Sequence, residues 1–439
     1  MMSQAPHQEV ALSTSDQKAT SRAPRNFLAR QIPPLTPRQW RVFGVSTTAG
    51  FFDMYDSALL SLALSQIQSG LGVAEARLGA MLSAIRLGYL ASFLISPLAD
   101  VFGRRRLLLY TILGYALFTG LTALAPNEHS FIAAQFVSRA FSGAEATVSL
   151  VILAEEVDAA LRGWVVGLQG ALAISGYGLA AIVFALIDVI PYGWRGLYAL
   201  ALLPLVLIVP LRRLLPESKR FEAEQLDKMR PARLLQPLIA LFKTYPRRLV
   251  TVVSVGFLNA MGASSATFLF PKYLQEVHRW SAPQVSFLVV FGGALGILGS
   301  VLGGQISDRH GRRASGALFM LVGAPLTVWL YTTGGNLVAE IWILRLFFDT
   351  ASGTIISVYS AELFPTSHRS AAASAQIVAG TTGGALGLLL ETVLYGLIGS
   401  HWAAIKALTF FWAAAALVMY LGYPETAGQE LEAISPETP

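Results

Sequence analysis

Long apolar segments constrain this chain more than any other feature of its sequence. A helix of roughly 20 mostly apolar residues spans the ~30 Å hydrocarbon core of a bilayer. Twelve such segments follow one another, over residues 42–68, 78–99, 107–125, 130–156, 163–187, 195–215, 249–274, 284–306, 314–333, 337–363, 370–398 and 402–423. Only 13% of residues are charged and 54% are hydrophobic, whereas soluble domains carry about 25% charged residues. The sequence therefore predicts an all-α polytopic membrane protein with twelve transmembrane helices.

One long polar stretch divides the apolar segments into two sets of six. The predicted organisation is a disordered cytoplasmic tail (residues 1–40), an N-terminal six-helix bundle (41–215), a cytoplasmic central loop (216–248), a C-terminal six-helix bundle (249–423) and a cytoplasmic tail (424–439). The first tail is rich in Ser, Thr, Gln, Ala and Pro and has no apolar run. That composition is typical of a disordered segment and not of a signal peptide.

The distribution of Lys and Arg predicts the orientation in the membrane. With both termini in the cytoplasm, 24 of the 32 Lys and Arg residues fall on cytoplasmic segments and four on outside segments. Cytoplasmic loops carry such an excess of positive charge. The same excess accounts for the pI near 9.5, so no nucleic-acid partner is predicted. We expect a monomeric, multi-pass protein of the cytoplasmic (inner) membrane, in contact with the lipid bilayer.

A short motif occurs twice and indicates an internal duplication. Asp100-Val-Phe-Gly103-Arg104-Arg105 recurs 208 residues later as Asp308-Arg-His-Gly311-Arg312-Arg313. A second pair, Arg139 and Arg345, shows almost the same offset of 206 residues. Two separate regions therefore indicate two similar halves. Parallel halves related by an axis along the membrane normal are one of the known transporter architectures.

Five motifs together resemble the major facilitator superfamily, in particular its sugar-porter-like and metabolite:proton symporter branch. They are the two loops just described, Pro216–Phe221, Glu362–Arg369 and Pro424–Ile434. The resemblance implies a 6+6 pseudo-symmetric fold and secondary active transport by alternating access. The stretch Val255–Gly262 lacks the glutamine pair usual in sugar porters. Gly50-Phe-Phe-Asp53-Met-Tyr55-Asp56 is more similar to symporters of carboxylate-bearing metabolites.

Charged residues inside the predicted spans are candidates for proton coupling, because each costs about 2.5–3.5 kcal/mol to insert. Asp53 and Asp56 share a helix face, and Glu145 lies at the depth of Asp53, roughly 22 Å below the outer edge. We expect one or more of these three carboxylates to bind and release the proton. Two alternatives stay open: Asp56 forms a structural ion pair with Arg86 or Arg139, or Glu145 balances the charge of Arg139.

A second group of buried polar residues is predicted to bind substrate. A guanidinium binds a carboxylate through two parallel hydrogen bonds, which makes Arg139 a candidate. Arg345 and Asp349 are four residues apart, so pairing within their own helix is the alternative for both. For uncharged residues, hydrogen bonding between helices is the alternative. The uncharged candidates are Tyr55, Gln169, Asn259, Tyr359 and Gln376.

The duplicated loops and the charges near them are predicted to form a cytoplasmic gate. A carboxylate beside a helix N-terminus is favoured by the helix dipole, and the glycine permits a tight turn. The gate would hold the cytoplasmic side shut whenever the cavity opens outward. The alternative is that the arginines only set the topology. The predicted gate residues are Asp100, Gly103, Arg104, Arg105, Arg106, Glu156, Arg162, Asp308, Gly311, Arg312, Arg313, Glu362 and Arg369.

Several classes of function lack their sequence signatures. The chain has no phosphate-binding loop of the Gly-x-x-x-x-Gly-Lys-Ser/Thr type, no cysteine, and six histidines without metal-ligand spacing. We therefore expect no enzyme activity, no metal and no cofactor. The predicted function is proton symport of a small organic metabolite that bears a carboxylate. A proton-coupled efflux antiporter or an uncoupled facilitator is the alternative.

Overall fold

The computed structural model describes residues 35–157, 159–203, 236–335, 337–365, 367–430 and 434–435, and this part of the chain is helical, with no strand. In the first half the helices are α1 (Pro37–Leu62), α2 (Leu64–Leu71), α3 (Leu78–Ile95), α4 (Ala99–Phe102), α5 (Arg104–Ala123), α6 (Glu128–Glu156), α7 (Ala159–Phe184) and α8 (Trp194–Leu200). In the second half they are α9 (Gln236–Thr244), α10 (Pro246–Phe268), α11 (Phe270–Glu276), α12 (Ala282–His310), α13 (Arg312–Leu330), α14 (Val338–Glu362), α15 (Arg369–Ile398) and α16 (His401–Gly422).

Ten helices within the described residues are long and apolar enough to cross a membrane, so the chain is a multi-pass membrane protein. They coincide with ten of the twelve predicted segments. The first predicted segment covers most of α1 and part of α2, and charged residues such as Asp53 and Asp56 lower the hydropathy of α1. The sixth, over 195–215, lies largely outside the described residues.

Local sequence explains where α1 begins and ends. Thr36 accepts a hydrogen bond from the backbone amide of Gln39, whose side chain bonds back to Thr36, and Pro37 occupies the first turn. This reciprocal capping satisfies amides that have no partner within the helix. The helix starts before the predicted boundary at residue 42 and breaks at Ala63, where α2 continues to Gly72. The first predicted segment is therefore two helices.

The same helix pairings occur in both halves. In the first half α1 packs on α7, while α3 and α5 pack on α6. In the second half α10 packs on α15, while α12 and α13 pack on α14. The two halves meet where α3 contacts α15 and where α7 contacts α12. The repeat in the sequence therefore corresponds to a repeat of the helix packing.

Glycines allow one of these helix pairs to approach closely, and they do so at equivalent positions. A Cβ at Gly176 on α7 would collide with the carbonyl oxygen of Phe51 on α1. Likewise, a Cβ at Gly383 on α15 would collide with the carbonyl oxygen of Phe257 on α10. Small residues at helix crossings are typical of membrane proteins, where packing drives association.

The duplicated loops also share their backbone conformation. Gly103 has φ 91° and ψ 140°, and Gly311 has φ 98° and ψ 132°. Only glycine adopts such values without strain. Each glycine ends one helix and begins the next at the same end of the molecule. We call this the Arg104 end, and the opposite end, which contains Lys272, the Lys272 end.

Candidate functional site

A buried arginine on α6 binds two carboxylates of α1. Nη2 of Arg139 lies 3.0 Å from Oδ2 of Asp56, and Nη1 lies 3.9 Å from Oδ1 of Asp53. Nη1 also donates to the hydroxyl of Ser57 at 2.7 Å. Because Asp53 and Asp56 are separated by almost one helical turn, both face the same guanidinium. Asp56 therefore pairs with Arg139, which was one of the two expected ion-pair partners.

Polar side chains around this centre complete its hydrogen bonds. Arg139 donates to Oε1 of Gln135 at 3.1 Å and to the hydroxyl of Tyr89 at 3.4 Å, and Ser142 donates to Asp53. Only 2% of Arg139 is exposed. Oδ1 of Asp56 is buried and has no hydrogen-bond partner within the described part of the chain. Two carboxylates around one guanidinium leave one negative charge uncompensated at this centre.

Glu145 lies on the same helix as Arg139 but has different partners. Its Oε1 accepts a hydrogen bond from Ser149 at 2.6 Å. Its Oε2 is buried without a partner among the described residues. The two ion pairs of Arg139 are with Asp53 and Asp56, so Glu145 does not provide the charge balance that was one sequence-based alternative.

The second half contains an equivalent arginine. Nε of Arg345 donates to Thr327 at 3.0 Å, and its Cζ lies 5.4 Å above the ring of Trp412. Asp349, one turn later on α14, is 3.9 Å from Nη2. The side chain of Asp349 is 24% exposed, whereas Arg345 is 1% exposed. Pairing within the helix is therefore present, and the carboxylate is the more accessible partner.

The structure separates the uncharged candidates into two groups. Gln169 lies beside Gly50 and Gln376 beside Gly256, which are equivalent positions in the two halves. The other three have hydrogen-bond partners within the protein: Asn259 accepts from Nε1 of Trp412 at 2.5 Å, Tyr55 donates to the carbonyl of Leu197 at 3.2 Å, and Tyr359 donates to that of Pro424 at 3.1 Å.

Tyr359 lies near the Arg104 end of α14, one helical turn before Glu362. It is fully buried, and its ring packs on Tyr423. Tyr359 therefore contacts the chain segment after α16, and its role in substrate binding stays a prediction.

Four ion pairs that described residues form at the Arg104 end each join residues of the same half. Arg104 lies 3.0 Å from Glu155, and Arg38 lies 2.8 Å from Glu156, all in the first half. In the second half Arg312 pairs with Glu362 and, at 3.1 Å, with Asp308. Among the other predicted gate residues, Arg369 donates to the carbonyl of Phe364 at 3.2 Å, and Arg313 lies over the ring of Tyr420. Arg105 is partly exposed and Arg106 is exposed. The side chains of Asp100 and Arg162 lie outside the described residues.

The Lys272 end carries a charge cluster that joins the halves and that the sequence analysis missed. Lys272 is fully buried and donates to Gln68 at 2.5 Å, to Glu75 at 3.1 Å and to Glu276. Nε2 of His401 lies 2.9 Å from Glu75, while Nδ1 lies 2.5 Å from the buried Glu391. Because a carboxylate only accepts hydrogen bonds, both ring nitrogens must donate, as in the protonated imidazolium.

A signal for this cluster was present in the sequence. Glu391 lies deep in a predicted span and required a partner, and His401 follows only ten residues later. The remaining members could not be found in this way, because Glu75 and Lys272 are separated by 197 residues. In the described residues, no group of three His, Asp or Glu side chains has the arrangement of a metal site.

Hydrogen bonds outside the cluster also join the halves at the Lys272 end. Ser61 donates to the carbonyl of Phe268 at 2.9 Å, and Gln66 donates to Gln275 at 2.7 Å. Closer to the middle of the membrane, Arg86 on α3 reaches α15. The halves are thus closed on each other at the Lys272 end.

Two repeated helix sets around a buried layer of arginines and carboxylates define a membrane transporter. The chain belongs to the Major Facilitator Superfamily, whose sequence profile matches residues 47–357. This confirms the resemblance inferred from the motifs. The fold is also that of the xylose transporter XylE from E. coli in its inward-open conformation, with a TM-score of 0.69, 20% identity, and coverage of 90% of this chain and 99% of that chain.

Two curated relatives cover most of the chain. The 4-hydroxybenzoate transporter PcaK of Pseudomonas aeruginosa is 26% identical over 83% of this chain and 88% of its own length. A probable 4-methylmuconolactone transporter of Cupriavidus pinatubonensis is 24% identical over 91% of this chain and 94% of its own length. Both relatives are transporters, which confirms that the chain is a transporter and not an enzyme.

Proposed function

We propose that this chain is a proton symporter that moves a small organic acid across the cytoplasmic (inner) membrane by alternating access. One observation carries the proposal: Asp53 and Asp56 share the single guanidinium of Arg139 in a buried centre. One proton bound there neutralises the uncompensated charge. Loading and release of that proton change the net charge of the centre, which is what coupling to a proton gradient requires.

Asp53 is the proposed proton carrier of this centre. Asp56 holds the short ion pair with Arg139, whereas Asp53 is 3.9 Å away and bonded to Ser142. A carboxylate in a short ion pair is held in its ionised form more strongly than one at longer range. Glu145, whose Oε2 is buried without a partner among the described residues, is proposed as a further proton-binding group.

The proposed substrate is a small carboxylic acid with an aromatic or other unsaturated skeleton. The names of the two curated relatives, transporters of 4-hydroxybenzoate and 4-methylmuconolactone, support this class. Residues proposed to line the substrate cavity are Gln169 and Gln376, at equivalent positions, together with Asn259, Arg345 and Asp349. Arg139 is proposed to position Asp53 and Asp56, because both of its terminal nitrogens already have hydrogen-bond partners. Tyr55, bonded to a carbonyl, is proposed to support the cavity wall.

We further propose twelve transmembrane helices in two sets of six, with both termini and the Arg104 end in the cytoplasm and the protein monomeric. The Lys272 end is then the outer face, and the structure corresponds to the state that is closed outside. The ion pairs Arg38–Glu156, Arg104–Glu155 and Arg312–Glu362 at the Arg104 end each lie within one half. Outward opening is proposed to bring the two duplicated loops together as the cytoplasmic gate.

Uptake into proteoliposomes tests the coupling. The protein is reconstituted, a pH gradient is imposed, and accumulation of labelled 4-hydroxybenzoate is followed in the wild type and in Asp53→Asn, Asp56→Asn and Glu145→Gln variants. Exchange of internal for external substrate without a gradient is measured in parallel. The proposal expects Asp53→Asn to lose accumulation and retain exchange, since exchange requires no net proton movement.

Two results would contradict the coupling assignment. Gradient-driven accumulation in all three variants shows that none of these carboxylates couples transport to protons. If substrate accumulates only when the direction of the imposed pH gradient is reversed, the protein is a proton-coupled efflux antiporter instead. As a matched control, Glu340→Gln removes a carboxylate near the start of α14 without touching the centre, and uptake should stay unchanged.

A further inference from the structure

Arg86 differs from the other two arginines of the polar layer in what surrounds its guanidinium. Arg139 faces two carboxylates, and Arg345 faces Asp349. Arg86 has no carboxylate partner among the residues that the structure describes. Its Nε donates to the carbonyl of Thr381 at 3.3 Å, and its Nη2 donates to that of Gly380 at 3.5 Å. Both hydrogen bonds are long, and hydrogen bonds weaken as they lengthen.

The position of Arg86 places this charge between the two halves. The residue lies on α3, and both acceptors belong to α15 of the opposite half. A Cβ at Gly384 would lie 2.5 Å from Cζ of Arg86 and 2.5 Å from the hydroxyl of Ser264 on α10. The absence of a side chain at Gly384 therefore lets the guanidinium lie against α15 close to α10. The Arg86 side chain is only partly buried.

We infer that Arg86 is the residue that binds the carboxylate of the transported substrate. A charged group in a membrane interior needs a counter-charge or strong hydrogen bonds, and within the described residues Arg86 has two long hydrogen bonds and no counter-charge. An incoming carboxylate supplies the missing charge and accepts two parallel hydrogen bonds from the guanidinium. This inference rests on the proposed function, which it deepens by assigning recognition of the acid group to a residue outside the Arg139 centre.

The location has a consequence for transport. Because the guanidinium contacts α15 from α3, a carboxylate bound to it interacts with both halves at their contact. Binding there is therefore sensitive to the relative position of the halves. Arg139, in contrast, bonds within the first half to α1 and α3 and can keep those bonds while the halves move.

Equilibrium binding to the purified full-length protein tests the inference. The probes are 4-hydroxybenzoate and 4-hydroxybenzamide, which have nearly the same shape and differ in the negative charge. The wild type should bind the acid more tightly than the amide. Arg86→Gln should weaken binding of the acid by roughly tenfold or more, as expected for loss of charge-assisted hydrogen bonds, and leave the amide almost unaffected. Arg86→Lys keeps the charge but loses the two parallel hydrogen bonds of the guanidinium. Its affinity for the acid should therefore lie between those of the wild type and Arg86→Gln.

Arg279→Gln is the matched control, because Arg279 is exposed in the loop before α12. It should bind both probes as the wild type does. Retained amide binding shows that an Arg86 variant is folded. If Arg86→Gln keeps the preference for the acid, the inference is wrong, while proton-driven accumulation can still support symport. If the wild type binds no carboxylate, the inference also fails. If the Arg86 variants behave as expected but accumulation is independent of protons, only the proposed coupling fails.

Discussion

Lys272 and Glu75 form an ion pair between the two halves of the chain, with 3.1 Å between Nζ and Oε1. Lys272 is fully buried, and its ammonium group also bonds to Gln68 and Glu276. A buried cation that loses its partners costs several kcal/mol, so this arrangement favours the closed position of the Lys272 end. In the proposed topology, where the Lys272 end faces outward, this pair is a specific contact that outward opening would break.

Replacing Lys272 should open the Lys272 end. Lys272→Met nearly keeps the length of the side chain but removes the cation that binds both Glu75 and Glu276. His401 still contacts Glu75, but the two carboxylates repel each other once Lys272 no longer lies between them. The native chain has no cysteine, so Ser61→Cys, at a buried position on α1, adds a single reporter thiol. In cells that produce the protein, the reporter should react several-fold faster with a membrane-impermeant maleimide when Lys272→Met is present. Equal labelling rates in the two backgrounds would exclude this role of Lys272.

A small change at Gly79 should have a similar effect. A Cβ at Gly79, on α3, would collide with Glu391 and with the carbonyl oxygen of Leu388, both on α15. We expect Gly79→Ala to lower the thermal unfolding midpoint and to speed labelling of the Ser61→Cys reporter. Gly44→Ala is the control, since nothing lies within 4 Å of that Cβ position, and alanine in a helix is favoured over glycine by roughly 0.5–1 kcal/mol. If Gly79→Ala changes neither the unfolding midpoint nor the labelling rate, the halves are not closed in this way in solution.

The duplicated glycines should tolerate no side chain. Gly103→Ala and Gly311→Ala force a left-handed backbone value on alanine, which costs about 1–2 kcal/mol. At Gly311 the Cβ would also lie 2.7 Å from Oε2 of Glu425. Both variants should unfold at lower temperature and transport more slowly than the wild type. Gly304→Ala, in open space within α12, serves as the comparison and should match the wild type.

Glu425 should contribute stability that depends on pH. Partial burial raises the pKa of its carboxyl, but hydrogen bonds from the backbone amides of Ala427, Arg312, Arg313 and Thr426 outweigh burial and lower the pKa overall. A carboxyl with a lowered pKa in the folded state stabilises the fold above its unfolded pKa, near 4.5. That contribution is lost as the pH falls through the folded value.

The Glu425→Gln variant measures this contribution. Glutamine keeps the shape but loses the charge. Because Glu425 is only partly buried and solvent screens its charge, at neutral pH we expect a loss of about 0.5–1 kcal/mol in the free energy of unfolding. The difference from the wild type should shrink once the pH drops below 4.5. Unfolding midpoints recorded from pH 7 to pH 4 provide the comparison. A constant difference across that range would mean that the charge of Glu425 is not responsible.

Hydropathy predicted most helices, because a spanning helix must be apolar over its whole length whatever it packs against. Hydropathy did not predict the break at Ala63 in the first segment, after which α2 contacts α11 of the second half. The site was predicted less completely. Asp53, Asp56 and Arg139 were identified as costly buried charges, but spacing alone left both Asp56 and Glu145 as partners of Arg139. Only their positions in space selected Asp56.

The sequence by itself determined the class of the chain, its division into two repeated halves, and the set of buried charges that need a function. These properties are readable because hydropathy and local repeats depend only on neighbouring residues. The tertiary structure decided how the charges pair. It assigned both α1 carboxylates to Arg139, linked Lys272 to Glu75, and left Arg86 facing carbonyls between the halves. Such choices depend on distances across helices that are remote in sequence, and electrostatic energies vary steeply with those distances.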